Sequence, residues 1–151
     1  MFYFAYGSNM DHHQMLVERC PGAKFTSAAE LDRHCLIFDG YSASWAGAVA
    51  NIDVADDEEV WGGLFEITEQ HFNMLDEYEG CPKYYTRKPI IVERADTGDK
   101  VAAWTYYREA HPTGLPSHRY IDAVLRGAKD CCLPEDYVMS TFGPYVRRLA
   151  K

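Results

Sequence analysis

Residues 2–6 (FYFAY) are aromatic and apolar without interruption, and the Gly7-Ser8-Asn9 that follows predicts a short buried strand ended by a turn. Beyond that turn the chain predicts a helix over roughly residues 11–19, with Asp11 and Gln14 at capping-box spacing. After Pro21-Gly22, β-rich runs around 31–38, 47–52 and 59–67 are separated by turn-forming or acidic stretches and read as an antiparallel sheet. Thr68 is placed to cap a helix in which Phe72, Leu75 and Tyr78 recur every third residue, and Gly80 with Pro82 stops it. Runs around 85–93 and 100–107 form a hairpin through Asp96-Thr97-Gly98-Asp99, with Pro89 marking an edge or a bulge. Ser117 caps a helix carrying Tyr120, Ile121, Val124, Leu125 and Ala128 at helical spacing, and Pro134 opens a further short one. Strands in the middle with helices around them make an α+β pattern rather than an alternating βαβ one.

The length of 151 residues suits one domain spanning 1–151, and no linker or repeat divides it. Hydrophobic residues at 47% and charged residues at 25% supply a core and argue against a disordered chain. A formal charge of -8 has the wrong sign for neutralising phosphates, so nucleic acid is not an expected partner. No apolar run approaches the ~20 residues of a membrane span, and the N-terminus lacks the features of a secretory signal. The expectation is a cytoplasmic protein without a membrane partner. The five cysteines, Cys20, Cys35, Cys81, Cys131 and Cys132, are odd in number and lack CxxC spacing, which fits reduced thiols. The His12-His13 pair has no partner at ligand spacing, so no metal is expected.

Candidate chemistry lies in three places. In the Gly7-Ser8-Asn9 turn a glycine permits φ > 0 and close approach of a ligand, and free N–H groups at the helix start make a small-anion cradle; a plain strand-to-helix turn accounts for the same residues. Asp76 and Glu79, three apart, share a helix face with Phe72 and Leu75, whereas Glu77 points elsewhere. A carboxylate in a last turn meets the negative end of the helix dipole, and burial beside rings acts in the same direction, which suits a general base near neutral pH. A solvated acidic helix end is the other reading. Finally, eleven tyrosines include Tyr84-Tyr85, Tyr106-Tyr107 and Tyr120, of which one or two can hydrogen-bond a ligand.

Tyr6-Gly7-Ser8-Asn9 after the first strand and Leu75-Asp76-Glu77-Tyr78-Glu79-Gly80 further on resemble the gamma-glutamylcyclotransferase family. Ser44 to Ala50, Glu59-Val60-Trp61-Gly62 and Gly127-Ala128-Lys129 followed by Leu133-Pro134 extend the likeness over nearly the whole chain. The resemblance implies a small mixed β-barrel with flanking helices. It implies that Tyr6, Gly7, Ser8 and Asn9 hold a glutamyl head group, that Glu79 does the acid–base work, and that Tyr85 and Tyr120 line the pocket, with Tyr84 the neighbouring alternative to Tyr85. The implied reaction turns a small-molecule γ-glutamyl amide into 5-oxoproline and a free amine, with no cofactor. Asp39 to Trp45 and Glu109 to His118 are the expected specificity loops. Two competing readings are a binding module that senses a glutamyl-like metabolite without turnover, and a structural protein with a vestigial pocket. Retention of Glu79 favours the enzyme.

Overall fold

The computed structural model describes residues 1–150; Lys151, the last residue of the expected domain, lies outside them. Strands β1 (Phe2–Ala5), β2 (Lys24–Ser42), β3 (Gly47–Glu66), β4 (Thr86–Arg94) and β5 (Lys100–Tyr107) close a barrel in the order β1-β3-β2-β4-β5. All pairs are antiparallel except β5 against β1, which meet in parallel at Tyr3 and Trp104 and make the barrel mixed. Helices α1 (Glu69–Glu79), α2 (His118–Asp130) and α3 (Glu135–Leu149) flank it, so the expected α+β barrel with flanking helices is present. None of these helices is long and apolar enough to cross a membrane. Phe4, Phe38, Val60, Leu64, Phe65 and Val124 are fully buried in the core.

Three elements differ from the sequence expectation. The runs at 47–52 and 59–67 belong to one strand, β3, because the acidic stretch between them stays on the β2 ladder through Cys35–Asp53 and His34–Val54 pairs before resuming at Asp32–Glu59. Only residues 55–58 bulge out, opposite Arg33 at φ 61. Polarity there marks a ribbon with neither face covered, not a break in the strand. The segment after the first turn is a π-helix, His13–Arg19, preceded by a 3₁₀ turn over Ser8–Met10. It carries no capping box: Asp11 Oδ1 accepts from the His13 N–H at 3.2 Å, while the Gln14 amide turns inward to buried partners. Finally, α3 is a full 15 residues, with Pro134 outside it in an extended conformation and Phe142 buried against Phe38.

Helix α1 forms where the sequence places it. Thr68 Oγ1 accepts from the His71 N–H at 3.2 Å and His71 Nδ1 accepts from the Thr68 N–H at 3.1 Å, a capping box with histidine as the reciprocal partner. Gly80 ends the helix at φ 66 and leaves Glu79 as its last residue. Phe72 and Leu75 are buried but Tyr78 is exposed, since steps of three lag a turn of ~3.6 and drift off the apolar face. Pro89 sits in β4 where β2 no longer pairs with it, as an edge proline must.

Candidate functional site

A cavity of about 300 Å³ opens where the turn after β1, the end of α1 and the Tyr84-Tyr85 pair converge, with Trp45 and Tyr120 also lining it. It brings together every residue that the resemblance assigns to the site, Tyr6, Gly7, Ser8, Asn9, Glu79, Tyr85 and Tyr120, and of the other candidates includes Glu77 and Tyr106 but not Asp76 or Tyr107. Tyr84 lines it as well, from the exposed rim, whereas Tyr85 is buried.

Glu79 is held from one side only. Its Oε1 accepts from Asn9 Nδ2 at 3.1 Å and lies 4.0 Å from Arg19 Nη1, and its side chain is 17% exposed. Asn9 Nδ2 also donates to the Tyr3 hydroxyl at 3.0 Å. The orientation of that amide is enforced by two donors on its oxygen, Gln14 Nε2 at 2.9 Å and Arg19 Nη1 at 2.8 Å. Gln14 reaches Ser8 Oγ as well, at 2.8 Å. The π-helix explains how Gln14 and Arg19 meet. In an α-helix residues five apart point about 140° away from each other, whereas i→i+5 winding returns them to one face, where both reach Asn9 Oδ1.

Burial pushes the Glu79 carboxyl above its ordinary pKa, with Arg19, the Asn9 hydrogen bond and Arg108 pulling partly the other way. Burial likewise raises the phenols of Tyr3, Tyr6, Tyr85 and Tyr120, so all four are neutral donors at physiological pH. Their hydroxyls are placed by the backbone. Tyr6 donates to the Tyr106 carbonyl at 2.6 Å and Tyr85 to the Ala50 carbonyl at 2.7 Å, while the Ala50 N–H donates to the Tyr120 hydroxyl at 2.9 Å.

Gly7 is a glycine for want of room. Its φ is -120, so the positive φ allowed by the sequence reading is not used. A Cβ there would lie 2.9 Å from the Tyr120 hydroxyl and 3.2 Å from Ala50 Cβ. The N–H groups of Gly7, Ser8 and Asn9 donate to no backbone carbonyl among the described residues; that of Ser8 faces the Tyr120 hydroxyl, and all three residues line the cavity. Behind them, α2 packs main chain against main chain: a Cβ on Gly127 would lie 2.4 Å from the Asp11 nitrogen. Tyr120 and Gly127, seven apart, stand on the same face of that helix.

Of the two expected specificity loops, Asp39 to Trp45 supplies Ser42, Ser44 and Trp45 to the cavity. The other stands behind the wall, where the Leu115 carbonyl accepts from Ala48 N–H at 3.0 Å. Sequence reading missed Tyr3, Gln14, Arg19 and Arg108. The strand pattern places Tyr3 beside Phe4 without saying which faces the pocket, and no α-helical pattern pairs Gln14 with Arg19. Away from the cavity, carboxylate oxygens of Glu30, Asp32 and Glu59 lie within 4.8 Å of one another on β2 and β3. Burial, then the two neighbouring carboxyls, push Glu30 up to about 8.

A five-stranded mixed barrel with an amide-anchored carboxylate at its cavity defines the class of protein, and known proteins share the fold. The AIG2-like family matches residues 59–140. Mouse gamma-glutamylcyclotransferase is 31% identical over 140 residues, covering 89% of this chain and 73% of its own length. The human protein of that name is 30% identical over 139 residues with the same coverage. A solved gamma-glutamyl cyclotransferase structure superimposes with a TM-score of 0.86 at 29% identity, over 93% of this chain and 85% of the other. The chain belongs to the gamma-glutamylcyclotransferase family.

Proposed function

We propose that this chain is a γ-glutamyl cyclotransferase that releases 5-oxoproline and an amine from a small γ-glutamyl amino acid or γ-glutamyl amine. The observation that carries this reading is Glu79, a carboxylate with a raised pKa, anchored through one oxygen at the cavity where the Gly7 to Asn9 donors cluster. A sensor that only bound an α-ammonium carboxylate would have no use for a base tuned toward neutrality.

The nucleophile is the substrate's own α-amine, so both reacting groups arrive in one molecule and the chemistry calls for no cofactor. The N–H groups of Gly7, Ser8 and Asn9 hold the substrate α-carboxylate or the oxyanion, and the phenols of Tyr85 and Tyr120 fold the γ-glutamyl chain into a near-attack conformer. Glu79 takes a proton from the α-ammonium, and the freed amine attacks the γ-carbonyl carbon. As the tetrahedral intermediate collapses, Glu79 delivers the proton to the leaving nitrogen and the C–N bond breaks. Two protons leave the α-nitrogen between ammonium and lactam, and two reach the departing nitrogen between amide and ammonium. Glu79 relays them in turn.

The test is a panel of γ-glutamyl compounds turned over in oxygen-labelled water. Unlabelled 5-oxoproline is the expected acid product, because a tethered amine at an effective molarity of ~10⁵ M or more outcompetes water. Labelled glutamate would overturn the assignment and make the protein a hydrolase. The α-N-acetylated substrate is expected not to react.

A further inference from the structure

Arg108, one residue past β5, is buried under the pocket wall with 4% of its side chain exposed. Its Nη2 donates to both the carboxylate and the main-chain oxygen of Asp39, the latter at 2.7 Å. Asp39, itself 0% exposed, spends its second carboxylate oxygen on the His111 N–H at 2.8 Å and Asn51 Nδ2 at 3.3 Å. Asn51 also closes on the Arg108 main chain, accepting its N–H at 3.2 Å and donating to its carbonyl at 2.9 Å. All of this engages one edge of the guanidinium. Nε and Nη1 are buried with no hydrogen-bond partner. What the cation meets instead is aromatic: Cζ lies 4.8 Å from the centroid of the Tyr85 ring and 5.1 Å from that of Tyr84.

A buried guanidinium with two unpaired nitrogens is a costly way to fill space, and an apolar side chain would pack the same volume without desolvating a charge. What the arrangement accomplishes is to tie three chain segments at one point, the end of β2, the approach to β4 and the exit of β5. Two of these carry the outer wall of the cavity. Tyr85, with its ring against Arg108 and its hydroxyl on Ala50, is fixed at both ends, and Ala50 is the residue that also places Tyr120. Tyr84 is fixed likewise, donating to the Tyr41 carbonyl at 3.3 Å.

We propose that Arg108 is a positioning residue: from behind the wall it fixes the Tyr84-Tyr85 pair and, through Tyr85, Ala50 and Tyr120, sets the slot in which the γ-glutamyl chain folds onto itself. This rests on the cyclotransferase reading above. Because the guanidinium carries charge, its role has an electrostatic signature that a packing role lacks. The groups facing Glu79 are the cations Arg19 from the π-helix and Arg108 from the β5 exit, together with the hydroxyls of Tyr3, Tyr6, Tyr85, Tyr106 and Tyr120. Burial keeps all five phenols protonated, so Arg19 and Arg108 are the charges that favour the ionised base, beside the Asn9 hydrogen bond.

Two variants test the proposal against wild type: Arg108→Lys, and the charge-balanced Asp39→Asn/Arg108→Met, which leaves no buried ion unpaired. Steady-state kinetics across pH are read on protein shown to be folded by circular dichroism. In the double variant kcat/KM is expected to fall by up to ~10²-fold, the scale of a modest misplacement, and its acid limb to move to higher pH. Arg108→Lys keeps the charge but not the planar stack, so kcat/KM falls while the acid limb stays in place. A folded double variant with wild-type kcat/KM and an unmoved acid limb would overturn the role. Should the double variant not fold, Arg108→Lys with unchanged kcat/KM would overturn it equally. Wild-type turnover keeps the two levels apart: no 5-oxoproline from the wild type defeats the reaction itself, whereas normal wild-type turnover with indifferent variants defeats only the role of Arg108.

Discussion

Asp76 and Glu79 leave the same helix three residues apart and are similarly exposed, at 21% and 17% of their side chains, yet they meet different surroundings. Asp76 Oδ1 accepts from the Tyr106 hydroxyl at 2.6 Å and lies 3.3 Å from Arg87 Nε, and Arg87 itself is stacked 4.3 Å from the Phe72 ring. That carboxylate is consumed in fastening α1 to the barrel. Glu79 has one amide donor on Oε1 and a cation at 4.0 Å, and it faces a cavity rather than a strand. Side-chain exposure does not separate the two. What separates them is what each carboxylate faces: Asp76 is held against the barrel by a phenol and a guanidinium, whereas Glu79 opens on a cavity.

The sharpest way to break this contrast is to remove each charge in turn. Glu79→Gln keeps the Asn9 hydrogen bond, since the amide oxygen can still accept, but cannot take the ammonium proton, so kcat is expected to fall by ~10²–10⁴. Asp76→Asn is expected to cost less than about tenfold in kcat, within what a lost anchoring contact can do, and to show mainly in thermal stability. Equal losses from the two, measured as 5-oxoproline release, would erase the distinction.

A smaller effect is expected at the cradle. In Gly7→Ala the new methyl meets the Tyr120 hydroxyl, which must swing away from Ala50, so KM rises while stability changes by no more than the ~1–3 kcal/mol of overpacking. A large stability loss with KM unchanged in the folded fraction would make Gly7 a turn residue only.

The smallest effect concerns pH. Glu79 binds its proton more tightly folded than unfolded, so its contribution to stability is complete below the ordinary carboxyl pKa of ~4.3 and is lost as pH rises through the raised folded value. Glu79→Gln removes that loss. The variant is therefore expected to melt higher than wild type at neutral pH, with the gap narrowing toward pH 4. An unchanged melting temperature at neutral pH would show that the base carries no burial strain.

Much of this was legible in the residues. Thr68 and Gly80 bracket α1 by local chemistry alone, and that bracketing puts Glu79 at the helix end; the YGSN turn follows from an apolar run meeting a glycine. Hidden features depend on contacts that distant segments supply. The acidic 53–59 stretch looks like a break because strand patterns assume a covered face, and the β2 partner that keeps it extended is invisible in the local sequence. The π-helix is set by Asn9, whose oxygen draws both Gln14 and Arg19. Arg108 reads as an ordinary surface cation until Asp39 is brought beneath it from 69 residues away. Of the two reasons the sequence offers for Gly7, torsional freedom and close approach, the structure uses only the second, against Tyr120 and Ala50 rather than a ligand.

The side-chain-free contact of Gly127 with the chain at Asp11 has a consequence for divergence. It seats the turn after β1 from the α2 side, while the rim at residues 39–45 is tied down by the Asp39 and Arg108 pair at one end and by α2 at the other, where Arg119 donates to the Ser44 carbonyl and stacks on Trp45. A rim segment of different sequence can therefore be exchanged between these two anchors, provided Asp39 and the contacts of Ser44 and Trp45 with α2 are kept. The architecture lets the stretch between the two anchors be rewritten while the turn after β1 and the end of α1 stay fixed. Grafting the corresponding stretch of a relative onto this barrel is thus a direct test of selectivity, one that leaves Glu79 and its Asn9 anchor where they are.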